Sequence, residues 1–289
     1  MPLFFMIAGF VIRSSDREPI TEYIKKRAIR LLLPTTIFIM VFLPFYLFTT
    51  DNFRVITLVM RITFWNGLVP YNEPCWFFIV LFETEVVERL FDIAGKKRSI
   101  QLVMSISSFI LGFLVYQFNI FLPFGLNRCL VAFGFLTIGM MMKDIFLIKG
   151  KMDSVNKYCY IVILLLWTIS GIGLNGKISM YTFELGHYWL FILSGICGSV
   201  LFIWNCQFVD KKVTWFRNVG KNTIFVICTH YICVSLFKKI TTILNLNYTC
   251  IYSILAVIFT LILVPCYMLV CRFINKYLPV LNGRRNVLK

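Results

Sequence analysis

Nine stretches of mostly apolar residues, separated by short charged connections, run from one end of this 289-residue chain to the other. They cover roughly 1–12, 31–50, 75–94, 100–118, 122–142, 157–174, 188–208, 222–240 and 250–271. A helix that crosses a bilayer needs about 20 such residues in succession. Backbone polar groups cannot be left unpaired in lipid, so an apolar run of that length is read as a helix. Composition agrees, with 59% apolar and only 15% charged residues. Soluble domains hold just under half apolar and about a quarter charged residues. One soluble core cannot absorb this surplus, so most of these side chains face lipid or other buried helices. The expected fold is an all-α, polytopic transmembrane helix bundle of about nine helices, forming a single domain over residues 1–289. No internal repeat or soluble domain interrupts it.

The charges orient the bundle. Net charge is +16, and the cations cluster in alternate connections. One set is Arg13, Arg17, Lys25, Lys26, Arg27 and Arg30; the next is Lys96, Lys97 and Arg98. Lys143, Lys149, Lys151 and Lys157 follow, then Lys211, Lys212, Arg217 and Lys221, and finally Arg272, Lys276, Arg284, Arg285 and Lys289. The opposite connections hold only Arg54, Arg61, Lys177, Lys238 and Lys239. The positive-inside rule puts the rich set, and with it the carboxyl terminus, in the cytoplasm. Trp65, Trp76 and Trp189 then lie near outer ends of segments and Trp215 near an inner one, as interfacial anchors would. Charge in this pattern argues against nucleic acid as a partner and for the lipid bilayer.

The ten cysteines show no C-x-x-C spacing and sit in apolar runs, where a free thiol behaves as a small hydrophobe. With two histidines and no H-E-x-x-H, the sequence offers no metal site. Residues 1–12 would run from outside to inside, yet twelve helical residues span only about 18 Å. The expectation is an amino-terminally truncated form, with an earlier helix ahead of Met1.

Five segments resemble, in order, those of the acyltransferase 3 family of membrane-bound O-acyltransferases. Met1–Phe10 resembles its second helix, and Lys26–Pro34 (K-R-A-I-R-L-L-L-P) the basic segment and Pro that open its third. Cys75–Phe82 (C-W-F-F-I-V-L-F) is similar to its W-F-[LF]-x-x-L-F helix. Arg128–Gly139 resembles its R-x-L-x-A-x-x-F-x-x-x-G stretch, and Val219–His230 its late G-K-N-[ST] helix ending in His. The closest group acetylates cell-surface sugars and polysaccharides in bacteria. The resemblance implies a ten-helix fold in the bacterial cytoplasmic (inner) membrane. It also implies transfer of an acyl group, usually acetyl from cytoplasmic acetyl-CoA, to a hydroxyl of a carbohydrate or lipid-linked sugar, with no metal. The family's catalytic His lies in its first helix, with an Arg about a dozen residues before it. That helix is the one expected ahead of Met1, so residues 1–289 alone are expected to show little or no transfer.

Six residues stand out as candidates. Arg27 and Arg30 form R-x-x-R, three apart on one helical face, and guanidinium forks there suit phosphate groups. Through the resemblance they take a CoA-contact or gating role; the plain alternative is cytoplasmic charge. Glu83, seven residues past Trp76, falls inside the membrane with no local partner. It is either a catalytic-site carboxylate or half of a pair with another helix, whereas Glu85, Glu88, Arg89 and Asp92 read as ordinary ion pairs. Arg128, near the outer face, either snorkels to the interface or, through the resemblance, binds acceptor or pairs within the core. His230 lies about 12 Å up its segment from Asn222. It is a proton carrier at the active site or a satisfied core group, and is not read as the family's catalytic His. Asn222 caps that helix with Thr223 and, through the resemblance, faces the substrate cavity. His187 reads as a surface residue. Two rival functions fit the composition. One is a proton-coupled transporter or flippase, disfavoured by the lack of a repeat; the other is a non-catalytic membrane partner in polysaccharide assembly.

Overall fold

A computed structural model describes residues 1–12, 18–49, 60, 72–148, 157–206, 220–244 and 250–283. Of the residues singled out above, Arg13, Arg17, Arg54, Arg61, Trp65, Lys149, Lys151, Lys211, Lys212, Trp215, Arg217, Arg284, Arg285 and Lys289 lie outside these. Among the described residues the chain is all helix and turn, apart from one isolated bridge between Ser179 and Glu184.

In chain order the helices are α1 (Pro2–Val11), α2 (Ile20–Arg27), α3 (Leu33–Thr49), α4 (Trp76–Phe91) and α5 (Arg98–Gln117). They continue with α6 (Leu126–Ile148), α7 (Lys157–Thr168), α8 (Tyr188–Cys206), α9 (Thr223–Ile243) and α10 (Cys250–Tyr277). Among the described residues six helical stretches are long and apolar enough to cross a membrane, from Ile20–Pro44 to Tyr252–Tyr277; Pro2–Val11 and Tyr158–Gly173 are shorter apolar helices. The protein is therefore a polytopic membrane protein.

One expected connection is helical instead. Residues 20–27 form α2, which runs through a π-helical turn, Ala28–Leu32, into α3. Glu22 and Lys26 stand i,i+4 apart and Tyr23 turns inward, so charge along this stretch disguises a helix with one buried face.

The chain divides into two compact units. Unit 1 comprises residues 1–23 and 80–211, and unit 2 comprises 24–79 and 212–289. In unit 1, α6 is the central helix and packs on both α1 and α5. Gly9 of α1 and Gly139 of α6 bring two backbones into contact: a methyl on Gly9 would strike the Leu136 carbonyl, and one on Gly139 the Met6 carbonyl. Small residues permit this approach where lipid supplies no hydrophobic drive between helices. Ser105 of α5 adds a hydrogen bond to the Gly134 carbonyl at 3.0 Å. In unit 2, α3, α9 and α10 pack with the 3-10 turn Pro279–Asn282. Phe225 of α9 sits between Phe38 of α3 and Tyr267 of α10.

Trp76 is buried at 2% exposure and is no interfacial anchor, whereas Trp189 is half exposed. The 3-10 turn Glu73–Cys75 ahead of α4 packs on α9, and the Cys75 Sγ lies 3.5 Å from the Sγ of Cys228, the sixth residue of that helix. A Trp76 at the outer boundary would have met the other end of α9. Counting depth from Trp76 therefore does not locate Glu83.

Candidate active site

The expected donor-binding corner is in unit 2. Lys25, Lys26 and Arg27 fill the last turn of α2, and Arg30 is exposed within the π-turn. Arg27 closes an α-helix and Arg30 lies in a wider turn with i→i+5 bonding, so the angle between them differs from that of an α-helical pair three apart. Single π-turns inside α-helices occur mostly at functional sites, because they re-aim a side chain. Against this turn lies Gly283, in a left-handed conformation (φ 65°), so close that a methyl group there would strike the Arg30 carbonyl.

Asn222 is part of what holds Gly283 there. Asn275 donates to the Asn222 side-chain oxygen at 2.7 Å, and Asn282 donates to the same oxygen at 3.0 Å and to that of Asn275 at 2.8 Å. The expected side-chain cap from Asn222 onto its own helix is not formed; the residue occupies the cap position without a side-chain hydrogen bond to the helix. The Phe225 N–H in the first turn of α9 instead donates to the Asn282 side-chain oxygen at 3.3 Å. Asn282, not Asn222, thus satisfies a donor that every helix start leaves unpaired. Thr223 turns its hydroxyl back to the Gly220 carbonyl. Arg30 and Asn222 are thereby brought to one corner, linked through Asn282 and Gly283.

His230 lies two turns further along α9, half-buried. Its Nδ1 is 2.8 Å from the Ile227 carbonyl and 3.2 Å from that of Val226. Carbonyl oxygens only accept, so Nδ1 carries a proton and the neutral ring presents its lone pair at Nε2. The adjacent Thr229 hydroxyl lies 3.0 Å from the Tyr267 hydroxyl, which in turn lies 3.5 Å from the Cys233 Sγ. On the same helix Tyr231 hydrogen-bonds Glu73, whose carboxyl also feels the charge of Lys238. Burial nonetheless pushes Glu73 above the usual carboxylate range.

Glu83 and Arg128 both belong to unit 1. Arg128 is buried at 7% exposure and does not snorkel. Its Nε donates to the carbonyls of Tyr181 at 2.9 Å and Met180 at 3.2 Å. The connection ahead of α8 folds inward to supply them, closed by the Ser179–Glu184 bridge. The charges of Glu83 and Arg128 attract. The charge that attracts Glu83 is therefore on α6 and not on its own helix. Glu85 and Glu88 are buried rather than surface residues, and Arg89 donates to the Glu18 carbonyl at 2.7 Å with its guanidinium 5.5 Å from the Tyr23 ring.

Three groups escaped the sequence reading. Asn275 and Asn282 had one available signal, the Asn282–Gly283 dipeptide that marks a turn. The Cys75–Cys228 contact and Glu73 had none. Among the described residues no three His, Cys, Asp or Glu side chains gather as metal ligands would.

Residues 1–268 match the acyltransferase domain that defines the acyltransferase 3 family. The chain belongs to that family. No curated protein and no solved structure matches it. Family membership makes this membrane protein an acyltransferase-type protein with acyl-CoA-dependent chemistry. In that light the basic corner of the acyltransferase 3 chain, with Arg30 on a π-turn packed against Gly283, is where a phosphate-bearing donor would be sought.

Proposed function

We propose that the protein transfers an acetyl group from cytoplasmic acetyl-CoA to a hydroxyl of a bacterial cell-surface carbohydrate or its lipid-linked precursor. The observation that carries this reading is the exposed Arg30, held on a π-turn against Gly283 and preceded by Lys25, Lys26 and Arg27. A guanidinium whose backbone is immobilised spends less entropy in binding phosphate than a free one. Arg27 and Arg30 take the phosphates of CoA, and Asn222 shapes the corner they share.

Acyl transfer also needs a base for the acceptor hydroxyl. His230 is the imidazole this chain offers within a helix, in the tautomer that leaves Nε2 able to accept a proton. As the hydroxyl oxygen forms its bond to the thioester carbonyl carbon, Nε2 takes the hydroxyl proton; the carbon–sulfur bond then breaks and CoA leaves as the thiol with that proton. Glu83, attracted by Arg128, supplies a polar group for the acceptor path within unit 1.

The test is calorimetric titration of the purified protein with acetyl-CoA, a readout that does not require turnover. The double variant Arg27→Ala/Arg30→Ala is expected to bind about 10- to 100-fold more weakly, and Arg30→Lys to recover only part of the loss. Unchanged affinity in the double variant overturns the donor assignment. Any transfer that residues 1–289 carry out is expected to fall by about 10²- to 10⁴-fold in His230→Gln, with acetyl-CoA affinity unaltered.

A further inference from the structure

A cavity unused by the chemistry above opens in unit 1 where the end of α5 meets the start of α8. It has a volume of about 440 Å³ and is lined by Phe113, Tyr116, Gln117, His187, Tyr188 and Trp189, among others. The positive-inside rule places it on the side of the membrane opposite the basic connections.

The rings form an assembled platform. Tyr188 is buried and its hydroxyl donates to the Phe109 carbonyl at 2.8 Å, which fixes the ring. Phe113 lies 5.5 Å from Tyr188 and 5.3 Å from Trp189, and Tyr116 lies 5.9 Å from Tyr188. The Tyr116 hydroxyl donates to the Gly186 carbonyl at 3.1 Å. Trp189 remains half exposed, at 51%. Beside the rings, Gln117 and His187 are exposed, and their side chains make no hydrogen bond to another described residue.

An interfacial aromatic belt also places Trp and Tyr at this level, but its rings face lipid one by one. Here most of the rings are spent on one another and enclose a cavity, with an amide and an imidazole left over at its edge. Fixed aromatic faces with a few unspent donors and acceptors match a ligand that is apolar on one face and hydroxyl-rich around its edge. A pyranose ring has that character: axial C–H bonds for the rings, equatorial hydroxyls for Gln117 and His187. No Lys or Arg is among the described residues that line the cavity, so the sugar it suits is neutral.

We infer that this platform is a binding site for a neutral hexose or N-acetylhexosamine unit of the carbohydrate acceptor, with Trp189 as the stacking face and Gln117 and His187 as the hydroxyl-reading groups. The inference rests on the acetyl-transfer reading for the identity of its ligand. It adds a place on the outer face where the acceptor is held.

The experiment uses the full chain in phosphatidylcholine nanodiscs, so that no sugar-headed detergent competes. Maltotriose and N,N′,N″-triacetylchitotriose are titrated by calorimetry into wild type, Trp189→Ala, Trp189→Phe and Gln117→Ala, and acetyl-CoA is titrated into each. At least one trisaccharide is expected to bind wild type. Trp189→Ala and Gln117→Ala should each weaken it about tenfold, Trp189→Phe should stay within about threefold, and acetyl-CoA affinity should not change. Failure of wild type to bind either trisaccharide overturns the site, as does binding undiminished in both Trp189→Ala and Gln117→Ala. In either case acetyl-CoA binding that depends on Arg27 and Arg30 would leave the donor reading standing. Sugar binding with no acetyl-CoA binding would do the opposite, sinking the donor reading and keeping the platform.

Discussion

In unit 1, α1 and α6 touch backbone to backbone through Gly9 and Gly139, and 72% of the span containing α6 is buried; in unit 2, only 6% of the α10 span is buried and an amide network ties α9, α10 and the turn after it together. Lipid tails are as apolar as leucine, so neither unit gains from hydrophobic burial between its helices. Unit 1 relies on close packing of small residues and on serines that bond the neighbouring helix's carbonyls. Unit 2 relies on amides: Asn222, Asn275 and Asn282 satisfy one another and the start of α9. The two solutions fail differently. Packing of the first kind tolerates no added volume, and a network of the second kind tolerates no missing member.

The largest effect should come from removing the buried cation of the packed unit. Arg128→Ala leaves the Met180 and Tyr181 carbonyls without their donor and removes the charge that attracts Glu83, and is expected to cost about 2–4 kcal/mol. Thermal unfolding in detergent reads this, and adding Glu83→Gln should restore part of the loss. If the double variant is no more stable than the single one, the two side chains are not coupled.

Next comes added volume. Gly139→Ala must push α1 from α6 and should cost about 1–3 kcal/mol, with a lower yield of monodisperse protein. Gly176→Ala is the control, since nothing lies within 4 Å of the methyl it adds. Equal behaviour of the two variants would remove the backbone contact from the account of unit 1.

In unit 2, Asn282→Ala removes the cap on Phe225 and two amide bonds, for about 1–2 kcal/mol. It should also weaken acetyl-CoA binding severalfold while trisaccharide binding stays as in wild type, since Gly283 against Arg30 follows from where Asn282 is held. A stability loss without any change in acetyl-CoA affinity would separate the amide network from the donor corner.

The smallest effect concerns Glu73. Its carboxyl is pushed up in the folded protein, so the protonated form is the one the fold favours. That contribution is fully present below the ordinary carboxylate range and is lost as pH rises through the raised value. Glu73→Gln should make the acid-side dependence of the melting temperature shallower, and an unchanged profile would show that Glu73 adds nothing to it.

Most of the helices were legible, because a run of about 20 apolar residues has one outcome in lipid. Segment 188–208 appears as Tyr188–Cys206, and segment 222–240 as Thr223–Ile243. What charge hid was α2, whose Lys25, Lys26 and Arg27 read as a loop. What no sequence pattern showed was the folding-in of residues 179–184, which turned Arg128 from an interfacial cation into a buried one. The candidate site was legible by residue and not by arrangement. Glu83 and Arg128 were each singled out, yet their pairing is a tertiary fact. Asn222 was singled out for a local role, the cap, that a residue far along the chain performs.

That cap has a consequence in time. The acceptor for the Phe225 N–H is a side chain 57 residues further on. At about 5–20 residues per second, the ribosome delivers Asn282 some 3–11 s after Phe225. Until then α9 enters the membrane with its first turn incomplete, and the corner that carries Arg30 stays unlatched. The corner that carries Arg30 is thus among the last parts to be finished, closed by the arrival of the tail rather than by the insertion of any helix.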